Sequence, residues 1–127
     1  MRFGYTILYV DDVASTLDFY GKAFGLPTRF LHDSGTYGEL ETGATALAFA
    51  SRAMLRELGK TPQPPVLGQP SAEIALVTDD VAAAVDRALA AGATPVQPPK
   101  AMPWGQTIAY VGDVDGFLVE LCTPMTA

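Results

Sequence analysis

The feature that most limits what this chain can fold into is a repeat about half its own length. Residues 5–18 read YTILYVDDVASTLD and residues 73–86 read EIALVTDDVAAAVD. The spacing is constant, since 73 − 5 and 80 − 12 both give 68. Each copy begins with alternating residues, the pattern of a half-buried strand, and passes through Asp-Asp-Val into apolar residues at helical spacing. Asp12 and Asp80 are placed to cap those helices by accepting a hydrogen bond from an otherwise unpaired amide of the first turn. Gly25 and Gly92 then end the helices, and a new extended segment follows each. The chain is thus one supersecondary unit used twice.

Pattern and turn residues predict strand 3–10, helix 13–24 and strands 28–32, 37–41 and 45–50 in the first half. The second half is predicted as strand 72–78, helix 81–91 and strands 94–97, 105–111 and 117–122. Each half therefore reads βαβββ, module one covering about 1–58 and module two about 72–127. A short helix is expected at 51–58, and the proline-rich run 60–70 lies in a connector of about 59–71.

Composition bounds the function. A chain of 127 residues, 49% hydrophobic and 17% charged, is expected to be a single soluble domain. Folding at this length buries roughly two thirds of the open chain's surface, enough for a core without disulfides or structural metal. Eight Lys or Arg against fourteen Asp or Glu give a net charge of −6. That argues against nucleic acid, which needs a clustered basic face, and suits neutral or cationic partners. One cysteine, Cys122, excludes an internal disulfide, and one histidine, His32, limits any metal site to one imidazole per chain. No run of eighteen apolar residues predicts a membrane span, and the first ten residues are too polar for a signal peptide, so the expected location is the cytoplasm.

Two tandem βαβββ modules, with an Asp-x-Asp-Gly turn at Asp113 to Gly116 running into the strand Phe117-Leu118-Val119-Glu120-Leu121, resemble the vicinal oxygen chelate superfamily. This is the family of glyoxalase I, the extradiol dioxygenases and the bleomycin resistance proteins. The resemblance covers the whole chain as a single domain, 1–127. It implies an α+β fold in which each module curls a mixed sheet into a half-barrel, and a two-fold homodimer in which modules of different chains enclose two cavities. The fold hosts isomerases, epimerases, dioxygenases, thiol transferases and binding proteins, so the cavity residues must decide.

In metal-dependent members the ligands come from the first and last strands of each module. By resemblance those slots fall on Tyr5 and Ala48 in module one and on Glu73 and Glu120 in module two; Tyr5 and Glu73 are also related by the offset of 68. Ala48 has no donor atom, and the phenol of Tyr5 must lose a proton with a reference pKa of about 10 to act as a ligand. No metal or other cofactor is therefore expected. The alternative is a hard divalent cation held by Glu73, Glu120, Tyr5 and water. Without metal, two inward carboxylates must be hydrogen-bonded, partly protonated or paired with a cation carried by a ligand. They either recognise a basic molecule or simply bond tyrosines and backbone.

Strand alternation puts Ile7 and Tyr9 on the face of Tyr5, Ala46 and Ala50 on that of Ala48, Ala75 and Val77 on that of Glu73, and Leu118 and Cys122 on that of Glu120. The three alanines leave volume beside Tyr5 and Tyr9 for a bulky planar ligand, or let neighbouring elements pack closer. Trp104, in Pro-Trp-Gly-Gln, is placed either to stack on a flat or cationic ligand or to seal a dimer seam. Gln106, Ile108 and Tyr110 are expected to share its face. Tyr37 and Glu39 read as rim contacts on a middle strand. Cys122 has no histidine neighbour in sequence and reads as core.

The leading expectation is a metal-free, dimeric binding protein of the bleomycin resistance type. It would sequester a planar, cationic or amide-rich small molecule, as in antibiotic resistance, through Tyr5, Ile7, Tyr9, Ala48, Glu73, Trp104, Gln106, Tyr110 and Glu120. Seven residues separate Gly105 from Asp113, one more than the bleomycin-binding members imply. The alternative is an enzyme: a divalent-metal glyoxalase-like lyase or isomerase, a dioxygenase-type protein, or a metal-free catalyst using Glu73 or Glu120 as base.

Overall fold

Alternation and capping fold both halves into the same unit. The computed structural model describes residues 1–125. Its first half runs β1 (Tyr5–Val10), α1 (Val13–Phe24), β2 (Thr28–Leu31), β3 (Tyr37–Leu40) and β4 (Ala46–Ser51), followed by the short helix α2 (Arg52–Glu57). Its second half runs β5 (Glu73–Val77), α3 (Val81–Ala90), β6 (Thr94–Ala101), β7 (Thr107–Gly112) and β8 (Leu118–Cys122). The sheets are ordered β1-β4-β3-β2 and β5-β8-β7-β6. In each, the first and last strands of the module pair in parallel and the other pairs are antiparallel. The architecture is α+β, two tandem βαβββ modules, and the chain divides into two compact units between Pro64 and Pro65.

The caps explain where the long helices begin. Asp12 accepts from the Ser15 amide at 3.1 Å and Asp80 from the Ala83 amide at 3.0 Å. Each bond satisfies one of the four orphan amides of a helix start, worth about 1 kcal/mol. α1 ends at Gly25, whose φ of 68° is left-handed and lets its amide return to the Gly21 carbonyl.

In the first unit α1 lies across β2, β3 and β4. Tyr20 and Phe49 are fully buried with ring centroids 5.1 Å apart, beside Val10, Val13 and Leu40. Gly38 of β3 lets the helix approach: a Cβ there would lie 2.7 Å from Leu17 Cδ1 and 3.2 Å from Val13 Cγ1. In the second unit α3 packs on β6, β7 and β8, where Ala88, Ala109, Val111, Val119 and Leu121 are buried. Small residues in that helix replace the aromatic core of the first unit.

The structure departs from the sequence expectation most at β6. The strand was expected to stop at 97 and continues to Ala101, through Pro98 and Pro99. This is tolerated because β6 is an edge strand, where a missing amide breaks no second ladder, and because its register shifts between Pro95 and Gln97 and again between Gln97 and Lys100. Among the described residues no helix is long and apolar enough to cross a membrane.

Candidate functional site

The face of each sheet turned away from its helix carries the polar chemistry. In the first sheet, Tyr5, Ile7 and Tyr9 stand opposite Ala46, Ala48 and Ala50, and Tyr37 and Glu39 lie beyond Ala50 and Ala48. In the second sheet, Ala75 stands opposite Glu120 and Glu120 opposite Tyr110; Val77, Cys122 and Ile108 form the neighbouring row. Ile7 opposite Ala48 and Ala75 opposite Glu120 are the same place in the two sheets, again 68 apart on the first strand. The register thus brings Glu73, Glu120, Tyr110 and Cys122 together, and Tyr5, Ile7, Tyr9 and Ala48 together in the other unit.

Glu73 and Glu120 lie within hydrogen-bonding reach of each other, with the Tyr110 phenol beside them. A carboxyl–carboxyl hydrogen bond needs one proton between the two groups. Glu73 accordingly holds its proton above the ordinary carboxylate range, first through the bond to Glu120, then through burial and the charge of Glu120, while the Tyr110 bond pulls the other way. The Tyr110 phenol is raised by burial and by the nearby carboxylates. Cys122 is 4% exposed, its thiol faces the Leu76 carbonyl at 3.8 Å, and burial with the charge of Glu120 pushes its pKa up. A thiol so disposed is a poor nucleophile.

Trp104 stands at the entrance to β7 and is tied to Gln106. Trp104 lies in the turn joining β6 to β7, ahead of the first β7 residue Thr107, so strand alternation does not set its direction. Gly105 holds the turn with a φ of 102°. The indole is 56% exposed, and its Nε1–H donates to Gln106 Oε1 at 2.8 Å. Gln106, 7% exposed, in turn donates through Nε2 to the Thr123 carbonyl at 2.9 Å. The glutamine therefore anchors the tryptophan to the end of β8 through its oxygen and one of its two amide N–H groups.

Glu39 was underrated. Read as a rim residue, it is 6% exposed, with Oε2 accepting from the Tyr37 hydroxyl at 2.7 Å. Tyr37 is raised well above the usual phenol value by burial, by that bond, by the charge of Glu39 and by Tyr5. The signal was present in the sequence: Tyr37 and Glu39 are two apart, hence on one face, and β3 is an interior strand. His32 lies in an exposed turn with Nδ1 2.7 Å from Ser34 Oγ, away from these sets.

The donor set does not suit the metal centre of the vicinal oxygen chelate enzymes. Of the four slots, Ala48 supplies no donor, and among the described residues no group of three or more His, Cys, Asp or Glu side chains is placed to hold an ion.

A sequence model of the Glyoxalase/Bleomycin resistance protein/Dioxygenase superfamily matches residues 2–121. The chain belongs to this superfamily. An uncharacterised protein of Mycobacterium bovis, Mb0911c, is 33% identical over 123 residues, 93% of this chain and 80% of that protein. Superfamily folds recur among solved structures. A glyoxalase-related enzyme from Fulvimarina pelagi superimposes with a TM-score of 0.84 at 24% identity, covering 98% of this chain and 88% of that one. TioX from Micromonospora sp. ML1 superimposes with a TM-score of 0.73 at 22% identity, covering 97% and 98%. At such identities the likeness is one of fold, and the superfamily's chemistry varies with the residues on the open faces.

Proposed function

We propose that this superfamily member is a metal-free small-molecule binding protein for a planar organic cation, held through Glu73, Glu120 and Tyr110. The observation that carries the reading is the carboxyl pair, within hydrogen-bonding reach, on the open face of the second sheet. Such a pair holds one proton when alone and releases it when a cation replaces it. The alanine at the matching place in the first sheet and the short donor list support recognition over metal chemistry. Trp104, fixed by Gln106 with its ring exposed, supplies a stacking surface. Exposed Tyr5, Ile7 and Val77 on the open faces support assembly of the chain as a homodimer.

The test is a titration with flat cationic dyes followed by Trp104 fluorescence, in wild type and in Glu120→Gln. Quenching that weakens about tenfold in the variant supports the reading, as expected for loss of a charge-assisted hydrogen bond. Stoichiometric retention of a divalent metal by freshly purified protein would sink it. The raised carboxyl of Glu73 favours one second reading, proton transfer to or from a bound substrate, which predicts turnover lost in Glu73→Gln with binding retained.

A further inference from the structure

The open face of the second sheet is closed at one end by the chain's own connector. Glu73, Leu118 and Gly112 form one row across β5, β8 and β7, and Ala75, Glu120 and Tyr110 form the next, about 7 Å along the strands. Ala109 and Val111, which alternate with Gly112, are buried in the sheet face under α3, so a side chain at 112 would point to the open face. Leu67 takes that place. Its Cδ2 and Cδ1 lie 2.5 and 3.1 Å from the position of a Cβ at Gly112, so the leucine rests directly on the glycine backbone. Leu67 belongs to the same compact unit as this sheet. It sits between Pro65 and Pro70 in a turn closed by the Gln69 amide, which donates to the Val66 carbonyl at 2.9 Å. Prolines of fixed φ on both sides stiffen the seat, and Pro65 itself packs 3.5 Å from a Cβ position at Gly116.

The opposite direction along β5 is accessible. Glu73 and Ala75 are exposed, and Val77, which begins the row beyond Ala75, is 64% exposed. A molecule on this face therefore has apolar ground at Ala75 and Val77 and a leucine wall one row behind Glu120 and Tyr110. Three oxygen-bearing side chains, Glu73, Glu120 and Tyr110, meet between the two, and a primary ammonium brings three N–H donors. We propose that Leu67 is a specificity-determining stop, which limits this site to a terminal primary ammonium directed toward Leu67 with its flat body leading out over Ala75 and Val77. A substituent on the nitrogen that continues along the sheet runs into the Leu67 methyl groups. Selection by such a clash needs no additional attraction to the correct ligand. The inference rests on the cation-binding reading above and adds the class and orientation of the cation.

The test uses the full chain and two probes, 2-naphthylmethylammonium and its N-propyl derivative, titrated calorimetrically into wild type, Leu67→Ala and Glu120→Gln. Wild type is expected to bind the primary amine at least about tenfold more tightly, the scale of one overpacked contact. Leu67→Ala is expected to bring that ratio to within about threefold by admitting the propyl group. By NMR with labelled methyl groups, the naphthyl ring is expected to shift the Val77 signals of wild type more than those of Leu67. Equal affinities in wild type, or the reverse order of shifts, overturn the proposal without recourse to a variant. So does an unchanged ratio in Leu67→Ala whose core Val119 methyl signals show it to be folded, since the number of N–H donors would then explain the preference. If both probes bind equally and Glu120→Gln weakens both, the stop fails and the reading of the carboxyl pair stands. If neither probe binds, or Glu120→Gln weakens neither, both fail.

Discussion

At the scale of single residues, the open faces are set by hydrogen bonds that alternation alone does not reveal. Gln106 links Trp104 to Thr123 through both ends of one amide. Replacing it by Leu leaves the indole N–H and the Thr123 carbonyl without that partner, so Gln106→Leu is expected to cost about 1–3 kcal/mol in denaturant unfolding. Its folded state should show lower Trp104 fluorescence anisotropy. A variant of unchanged anisotropy would mean that the turn, held by Gly105, fixes the ring unaided. Glu73 gives a prediction in pH. Its carboxyl holds its proton more tightly folded than unfolded, so the contribution to stability is full below the unfolded value and is lost as pH rises through the folded one. Glu73→Gln removes that loss. The variant's stability relative to wild type should climb from about pH 4 towards neutrality, by a small amount because solvent screens the exposed Glu73. Melting curves that differ by a constant amount at all pH values would contradict the shared proton. Glu39 shows what residue-level reading misses: its two-residue spacing from Tyr37 was visible, but its burial depends on the neighbours that β4 and β2 bring, which no local pattern encodes.

Among the elements, those with strong local punctuation were legible and the one with contradictory punctuation was not. α1 was marked by Asp12 and Gly25 at its two ends, and its bounds, Val13–Phe24, are those expected. β6 was obscured by Pro98 and Pro99, residues that normally end a strand, because only the sheet order shows that it is an edge. The connector is likewise more structured than a proline-rich run suggests. Leu67 lies over Gly112, where a Cβ would come within 2.5 Å of Leu67 Cδ2, and Pro65 sits 3.5 Å from the position of a Cβ at Gly116. By register Gly112 shares the open face with Leu118 and Tyr110, so Leu67 covers one end of that face. Gly112→Ala should therefore cost about 1–3 kcal/mol, the range for overpacking. Leu67→Ala alone should cost its lost burial, and the double variant should recover much of the first penalty. Strict additivity in that double-mutant cycle would show that Leu67 does not rest on Gly112 in solution.

For the whole molecule, the repeat and the net charge carry most of what the sequence could say. A constant offset of 68 was enough to lay out two equivalent sheets, and the chain's membership of the superfamily agrees with that layout. The same offset exposes a difference between the halves. Glu120 sits on β8 beside Tyr110, whereas the matching Ala48 on β4 has Glu39 at the place of Tyr110. Each open face thus keeps tyrosine and carboxylate side chains, in different numbers and on different strands. A chain of net charge −6 with carboxylates on both open faces attracts cations before contact and repels anions. That field is screened over about 10 Å at 0.1 M salt and about 3 Å at 1 M, while hydrogen bonds and stacking within a face are barely affected. The affinity of a flat cationic dye should accordingly fall several-fold as sodium chloride rises from about 0.01 M to about 0.5 M, with a shallower slope when Glu120→Gln is present. A neutral dye of the same shape, measured under the same conditions, should show no such fall. A cation whose affinity ignores salt would be held by shape and aromatic contact alone, and the carboxylates of both sheets would then be structural partners of their tyrosines.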